Sequence, residues 1–299
     1  MHEPTAPARG AILSPESIGQ AVYDAIRHCA VTLRPDYREA LEEARAAADD
    51  DSPLGARAAR VLGQIAENAR IGAADQVPIC QDTGTVWACL EAGPDVMVPG
   101  DAFRLVDDAV ARAYRDGALR MSVVRDALLD RANTNTNTPA FCEVRLVPEP
   151  GARLHVLLKG GGSDNASRVV MLAPGAGPEG VIDVVLDCVR EKAANACPPL
   201  VVGVGVGSTF DKVAGLAKHA LLRPVGGQPQ SAKAAFFEDA LLERINALGI
   251  GPAALGGTPT ALAVHVETAP CHIAALPVAV NLGCCAMRSA TIELSGGAL

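Results

Sequence analysis

Three cysteines of this chain stand in similar sequence settings, far apart from one another. Cys80 lies in PICQDTG, Cys197 in NACPP and Cys284 in NLGCC, each at the edge of an apolar run beside proline, glycine or a polar turn. They are 117 and 87 residues apart along the chain. Only a tertiary fold could bring such distant thiols together. The two alternatives are therefore one shared metal site and three separately buried thiols.

Cysteine usage favours metal binding or catalysis over a disulfide framework. The chain has nine cysteines, and its first residues lack the basic end and apolar run of a secretory signal. A cytoplasmic location is therefore expected. No Cys-x-x-Cys pair occurs, and no cysteine or histidine spacing matches a zinc finger, so a small structural zinc site is disfavoured.

Other segments contain groups that bind anions or move protons. Asp82 lies two residues after Cys80, and the dense polar segment RANTNTNTPA covers residues 131–140. KGGGSDN (159–165) follows a predicted strand, and GVGVGSTFDK (203–212) precedes a helical pattern. Backbone N–H groups in such turns bind anions. The last segment is neither a Walker A motif nor a Gly-x-Gly-x-x-Gly fingerprint, which argues against nucleotide binding.

Composition limits the classes of partner. Of 299 residues 49% are apolar, which is enough to bury a sizeable core, and the formal net charge is −8. The acidic balance and the 3% aromatic content disfavour binding to nucleic acid or to an anionic membrane. The sequence also lacks an apolar stretch long enough to span a membrane.

Helical patterns fill the first quarter of the chain, and mixed patterns follow. Ser14-Pro15 predicts the N-terminus of the first helix. Further on, helices are predicted at 101–114, 180–196, 211–222 and 233–248, and strands at 143–147, 154–158, 200–206, 261–266 and 275–280. This order predicts an α+β fold, with a helical lobe over 1–75 followed by mixed strands and helices over 76–299.

Five motifs in register resemble one known family. PICQDTG, NTNTNTPA, KGGGSDN, GVGVGSTFDK and CHIAALPVAVNLGC are similar to segments of the α subunit, or N-terminal domain, of class I fumarate hydratases and the related L-tartrate dehydratases. These enzymes are iron–sulfur hydro-lyases. The resemblance implies a 4Fe–4S cluster in the 76–299 lobe, with Cys80, Cys197 and Cys284 as ligands and one iron open.

The neighbouring Cys285 is the alternative to Cys284. Adjacent side chains diverge, so one of the two would reach a shared cluster, and the twelve-residue step from His272 favours Cys284. The remaining five cysteines are predicted to be buried thiols: Cys29, Cys89, Cys142, Cys188 and Cys271.

The resemblance also implies roles for four further residues. Asp82 would be the acid–base group, and Arg120, the Gly162 backbone and His272 would bind substrate carboxylates. Without the resemblance, each residue has an ordinary structural interpretation. Asp82 would form an Asx-turn, Arg120 would be a solvated charge at a helix end, and His272 would be a histidine within a strand. Both interpretations stay open for each residue.

The family's single-chain members carry a further C-terminal domain, so the resemblance implies a separate β subunit and an (αβ)2 assembly. The predicted reaction interconverts fumarate and (S)-malate. The alternatives are L(+)-tartrate dehydration to oxaloacetate, mesaconate hydration, and a non-catalytic iron–sulfur subunit. A single additional hydroxyl on the substrate needs only a small change of pocket.

Overall fold

The computed structural model describes residues 11–48 and 52–295. Its α-helices are α1 (Pro15–Val31), α2 (Pro35–Ala48), α3 (Pro53–Asp75), α4 (Val106–Asp116), α5 (Gly161–Asn165), α6 (Gly177–Lys192), α7 (Phe210–Ala220) and α8 (Ala232–Ala247). Its strands are β1 (Ala11–Ile12), β2 (Thr85–Ala92), β3 (Val96–Met97), β4 (Phe141–Leu146), β5 (Ala152–Lys159), β6 (Arg168–Leu172), β7 (Leu200–Ser208), β8 (Ala261–Cys271), β9 (Leu276–Gly283) and β10 (Arg288–Leu294). Short 3-10 turns cover Pro174–Ala176, Ala193–Ala196 and Pro252–Ala254.

The chain divides into two compact units, each made from separate stretches of sequence. The first contains the described parts of residues 1–32, 72–160 and 288–299, and the second those of 33–71 and 161–287. Each unit holds a four-stranded mixed sheet with helices, which confirms the predicted α+β class. The predicted boundary near residue 75 stays a prediction.

The first unit packs helices α1 and α4 on a sheet of order β10-β5-β2-β4. Ser14 caps α1 as predicted, because its Oγ accepts a hydrogen bond of 3.0 Å from the Ser17 N–H. Ile18 and Val22 of α1 are fully buried against alternate residues of β2 and β5, among them Leu90 and Val156. Burial of such side chains is worth about 1.5–3 kcal/mol each.

The second unit has three layers around a sheet of order β6-β9-β7-β8. Helices α6 and α8 cover one face with an aliphatic core, and α7 covers the other. Gly203 and Gly205 lie inside β7, where an added Cβ would come within 2.2 Å of the Ala217 carbonyl oxygen and 2.5 Å of the Val213 carbonyl oxygen. These glycines therefore permit close packing of α7, and they lie within the strand that the sequence predicted at 200–206.

The sequence prediction missed strands β1, β2, β3, β6 and β10 and the short helix α5. The helices and strands that the sequence did predict are confirmed with shifted ends. For example, α4 begins at Val106 and not at residue 101, because residues 101–105 form turns. Within the described residues, no helix is long and apolar enough to cross a membrane.

Candidate active site

The CQDTG turn lies in the first unit, between the end of α3 and the start of β2. Gly84 has φ +87°, and a Cβ there would lie 2.1 Å from the Lys159 carbonyl oxygen, so only glycine fits. The Gly84 carbonyl accepts hydrogen bonds from the Tyr114 hydroxyl at 2.7 Å and from the Asn137 Nδ2 at 3.0 Å. Both donors are fully buried, so the turn is held at a fixed place beside β5.

Asp82 is half-buried in this turn and faces the first residues after β5. An ideal Cβ on Gly160 would lie 3.2 Å from the Asp82 Oδ2 and 3.5 Å from a terminal nitrogen of Arg288. A carboxylate and a buried guanidinium thus face the same bare stretch of backbone. Cys80, two residues earlier, is half-buried, with its Sγ 3.9 Å from the Gln81 Oε1.

The polar segment 131–140 supports the backbone that follows α4. The Asn137 Oδ1 accepts a hydrogen bond of 2.7 Å from the Ser122 N–H, and the Asn133 Nδ2 donates to the Met121 carbonyl at 2.8 Å. Arg120, immediately before these two positions, is exposed. The asparagines therefore fix the segment that carries Arg120, which is a role that the sequence did not reveal.

In the second unit, the fold brings the Cys197 and Cys284 segments together. The Cys285 N–H donates a hydrogen bond of 2.9 Å to the Cys197 carbonyl. Cys197 is exposed in the left-handed region, with φ 54° and ψ 74°, and Cys284 and Cys285 are half-buried in the turn after β9. Two of the three predicted cluster ligands therefore lie in neighbouring turns.

Tyr37 of α2 connects these two turns. Its fully buried hydroxyl lies 3.0 Å from the Pro199 carbonyl oxygen and 3.4 Å from the Cys284 carbonyl oxygen. Burial, reinforced by the neighbouring Cys285 and Cys284 thiols, raises the pKa of Tyr37 well above its usual value. The phenol therefore stays protonated and remains a hydrogen-bond donor.

Gly162 and His272 lie at opposite ends of the second sheet. A Cβ on Gly162 would lie 2.6 Å from the Asn195 carbonyl oxygen, which places Gly162 against the segment that leads into Cys197. His272 instead lies in the exposed turn between β8 and β9, where its Nδ1 accepts a hydrogen bond of 3.1 Å from the Ala274 N–H. Because the eight residues of β9 separate it from Cys284, about 25 Å lies between them.

The remaining cysteines mostly behave as buried thiols. All nine lie within the described residues, and none is disulfide-bonded. Cys29, Cys89 and Cys188 are buried, and Cys142 is half-buried. Burial raises the pKa of Cys142 and Cys188 to about 11, so these thiols stay protonated. Cys271 is the exception, because it is exposed at the end of β8, where its Sγ donates to the Ala275 carbonyl at 3.2 Å.

Three residues of these sites were missed by sequence reasoning. Tyr37 had a detectable signal, since it lies four residues before Leu41 on the apolar face of α2. Arg288 begins a strand that was not predicted, and Tyr114 was placed only as the end of a helix. Their contacts come from distant parts of the chain, which local patterns do not encode.

Comparison with known proteins shows the family of the chain. The sequence profile described as fumarate hydratase (fumerase) matches residues 19–293. This chain belongs to the fumarate hydratase family. A protein of Methanocaldococcus jannaschii, provisionally named L(+)-tartrate dehydratase subunit alpha, is 36% identical over 280 residues, which cover 91% of this chain and 96% of that protein.

A second relative has the same subunit name. The L(+)-tartrate dehydratase subunit alpha of Escherichia coli strain K12 is 35% identical over 219 residues, covering 72% of each chain. Membership of the fumarate hydratase family identifies the chain as a member of a lyase family, of the hydro-lyase type.

Proposed function

We propose that this chain is the α subunit of an iron–sulfur hydro-lyase that interconverts fumarate and (S)-malate, with a 4Fe–4S cluster held by Cys80, Cys197 and Cys284. The observation that carries the proposal is the Cys285 N–H to Cys197 carbonyl hydrogen bond, which joins two cysteine segments distant in sequence. Family membership over residues 19–293 supports it.

The chemistry of the donor set fits such a cluster. Iron–sulfur clusters are held by thiolates, and the Cys197 and Cys284 thiols lie in turns, outside the apolar cores. By contrast, Cys188 lies in a core, has a raised pKa, and donates its S–H to the Ala166 carbonyl at 3.1 Å. When bound, a cluster with one iron lacking a protein ligand would supply a Lewis acid for the hydroxyl group of the substrate.

The chain's own groups would then bind the dianion and move a proton. Asp82 would hold the proton that is added to or removed from the carbon next to a carboxylate. The Arg120 guanidinium and the Gly162 backbone N–H would bind the substrate carboxylates and stabilise the charge that develops on one of them. Gly162 suits this role, because its contact with Asn195 leaves no room for a side chain.

A substrate-binding role for His272 requires a second copy of the chain. His272 lies at the opposite end of β9 from Cys284, so the two residues of one chain are too far apart to touch one small dicarboxylate. The proposed (αβ)2 assembly, with a separate β subunit, contains such a second copy.

The second candidate function is L(+)-tartrate dehydration. It is favoured by the names of the two relatives above, both of which are tartrate dehydratase α subunits. Fumarate remains the lead, because the family profile that covers most of the chain bears the fumarate hydratase description. A cytoplasmic location is part of the same proposal.

The test is anaerobic reconstitution of the chain with iron and sulfide, together with a β subunit, followed by assays of fumarate loss and L-tartrate loss. We expect cluster-dependent loss of fumarate. The Asp82→Asn variant should keep the cluster absorbance and lose about 10²-fold in kcat, as for removal of a general acid–base group. Loss of tartrate alone would select the second candidate, and a loaded assembly that converts neither would contradict both.

A further inference from the structure

Arg288 is a buried charge that the proposed chemistry has not used. It begins β10 and is only 2% exposed, the largest of the fully buried side chains. Its Nε has no hydrogen-bond partner among the described residues. A buried guanidinium is strongly unfavourable unless an opposite charge lies nearby, so the surroundings of Arg288 should contain its counter-charge.

The carboxylate of Asp82 is in the right place to be that counter-charge. The Asp82 Oδ2 and a terminal nitrogen of Arg288 both lie within 3.5 Å of one point, the position of a Cβ on Gly160. The absent side chain of Gly160 therefore leaves the space in which the two groups face each other. The two atoms therefore lie within about 7 Å of each other, a separation at which opposite charges still attract inside a protein.

The side chain of Tyr114 lies in the field of both charges. Burial raises the pKa of Tyr114, the Asp82 carboxylate raises it further, and the Arg288 guanidinium opposes both effects. The Tyr114 hydroxyl in turn donates to the Gly84 carbonyl, two residues after Asp82. Asp82, Arg288 and Tyr114 are thus close enough to interact electrostatically.

The two partners differ in how firmly their backbones are held. Arg288 lies in a sheet, paired antiparallel with Leu158 of β5. Asp82 lies in a turn outside the sheet, near the Gly84 carbonyl that Tyr114 and Asn137 hold. A side chain fixed on a strand can orient a neighbouring group more precisely than a loop can alone.

We propose that Arg288 is a positioning residue for Asp82. Its guanidinium, fixed on β10, orients the Asp82 carboxylate across the bare backbone of Gly160. The proposal rests on the proposed function, since it assumes that Asp82 moves the proton. The competing role is purely structural, with Arg288 needed only to stabilise the start of β10.

A double-mutant cycle distinguishes the two roles. Arg288→Met should lower kcat by about 10²-fold, comparable with loss of the acid–base group itself, with KM and cluster absorbance nearly unchanged. Because Arg288 acts through Asp82, the Asp82→Asn/Arg288→Met double variant should be no slower than Asp82→Asn alone. If the loss of kcat in the double variant equalled the product of the losses in the two single variants, the proposal would be overturned.

Two further variants serve as controls for a general loss of folding. Arg288→Lys keeps the charge and should recover most of the kcat lost in Arg288→Met. Arg223→Met removes a second largely buried guanidinium, which pairs with Glu238 at 2.6 Å in the other unit, and should lower Tm while leaving kcat unchanged. A fall in kcat with Arg223→Met equal to that with Arg288→Met would support only the structural role.

A readout without turnover separates this proposal from the proposed function. Anaerobic crystal structures of the wild-type and Arg288→Met proteins should show the Asp82 carboxylate turned to a different rotamer in the variant. An unchanged Asp82 position would overturn the positioning role. If the wild type converts neither fumarate nor tartrate, the proposed function fails, whereas the rotamer comparison still decides whether Arg288 orients Asp82.

Discussion

At the scale of single residues, the structure separates cysteines that lie in turns from cysteines that fill the core. Cys197 and Cys284 lie in adjacent turns, and Cys188 is a protonated core thiol. The adjacent pair Cys284-Cys285 needs a decision, because the hydrogen bond from the Cys285 N–H to the Cys197 carbonyl brings both residues near Cys197.

Serine substitutions test that pair. Cys284→Ser should abolish most of the cluster absorbance after reconstitution, because a serine hydroxyl binds iron much more weakly than a thiolate does. Cys285→Ser should retain it, since the hydrogen bond to Cys197 uses the backbone N–H. Exposed Cys271→Ser is the matched control. Loss of the cluster in Cys285→Ser with retention in Cys284→Ser would exchange the two assignments.

A buried histidine on β8 predicts a stability that depends on pH. His265 is 3% exposed, with its Nδ1 3.1 Å from the Ala220 carbonyl oxygen. Burial, followed by repulsion from Arg223, lowers the pKa of His265 to about 4; the Ala220 carbonyl opposes this, Arg34 lowers it further and Asp36 raises it. The unfolded chain therefore binds the proton more readily between pH 6.5 and pH 4.

Stability should consequently be complete above about pH 6.5 and fall as the pH decreases toward 4, by on the order of 3 kcal/mol. Urea titrations of the wild type and of His265→Gln across this range measure the effect. The variant should show a flatter dependence. An identical slope in the two proteins would mean that His265 is not the group responsible.

At the scale of elements, α2 determines how the two cysteine turns meet. Tyr37→Phe removes the hydroxyl near the Pro199 and Cys284 carbonyls and leaves buried acceptors without that donor. We expect a loss of about 1–3 kcal/mol in the free energy of unfolding, together with faster loss of iron to a chelator. Urea unfolding and iron release are the measurements.

The control is Tyr23→Phe, which removes the partly exposed hydroxyl that donates to Asp116 at 2.9 Å. Water replaces such a bond, so the loss should be below about 1 kcal/mol with no change in iron release. Equal effects of the two substitutions would contradict a special role for Tyr37.

The same scale shows why the sequence predicted some features and not others. Ser14 and the apolar spacing of α1 are local signals, and both are confirmed. Strand β2 was missed, because its residues are buried on both faces and lack alternation. Strand β7 was predicted, but the packing of its glycines against helix α7 was not, because that contact is distant in sequence. Among site features, the motif cysteines were recognisable, whereas the contacts of Tyr37 and Arg288 depend on tertiary pairing.

At the scale of the whole molecule, His272 makes a prediction about assembly. Because it lies about 25 Å along β9 from Cys284, a catalytic role would be shared between two copies of the chain. Inactive Asp82→Asn and His272→Ala proteins, unfolded together and reassembled with β subunit, should regain part of the wild-type activity. Each variant reassembled alone is the control. No recovery in the mixture would remove His272 from the substrate-binding set.

The central claim is that this chain holds a cluster whose open iron meets a small hydroxy acid or its dehydrated form. The most direct measurement is Mössbauer spectroscopy of the anaerobically reconstituted ⁵⁷Fe protein, before and after addition of fumarate or L-tartrate. The account predicts that one iron site in the cubane changes its isomer shift on addition of substrate, while the other three stay unchanged. If the isomer shifts of all four iron sites stayed unchanged on addition of either compound, the central claim would be contradicted.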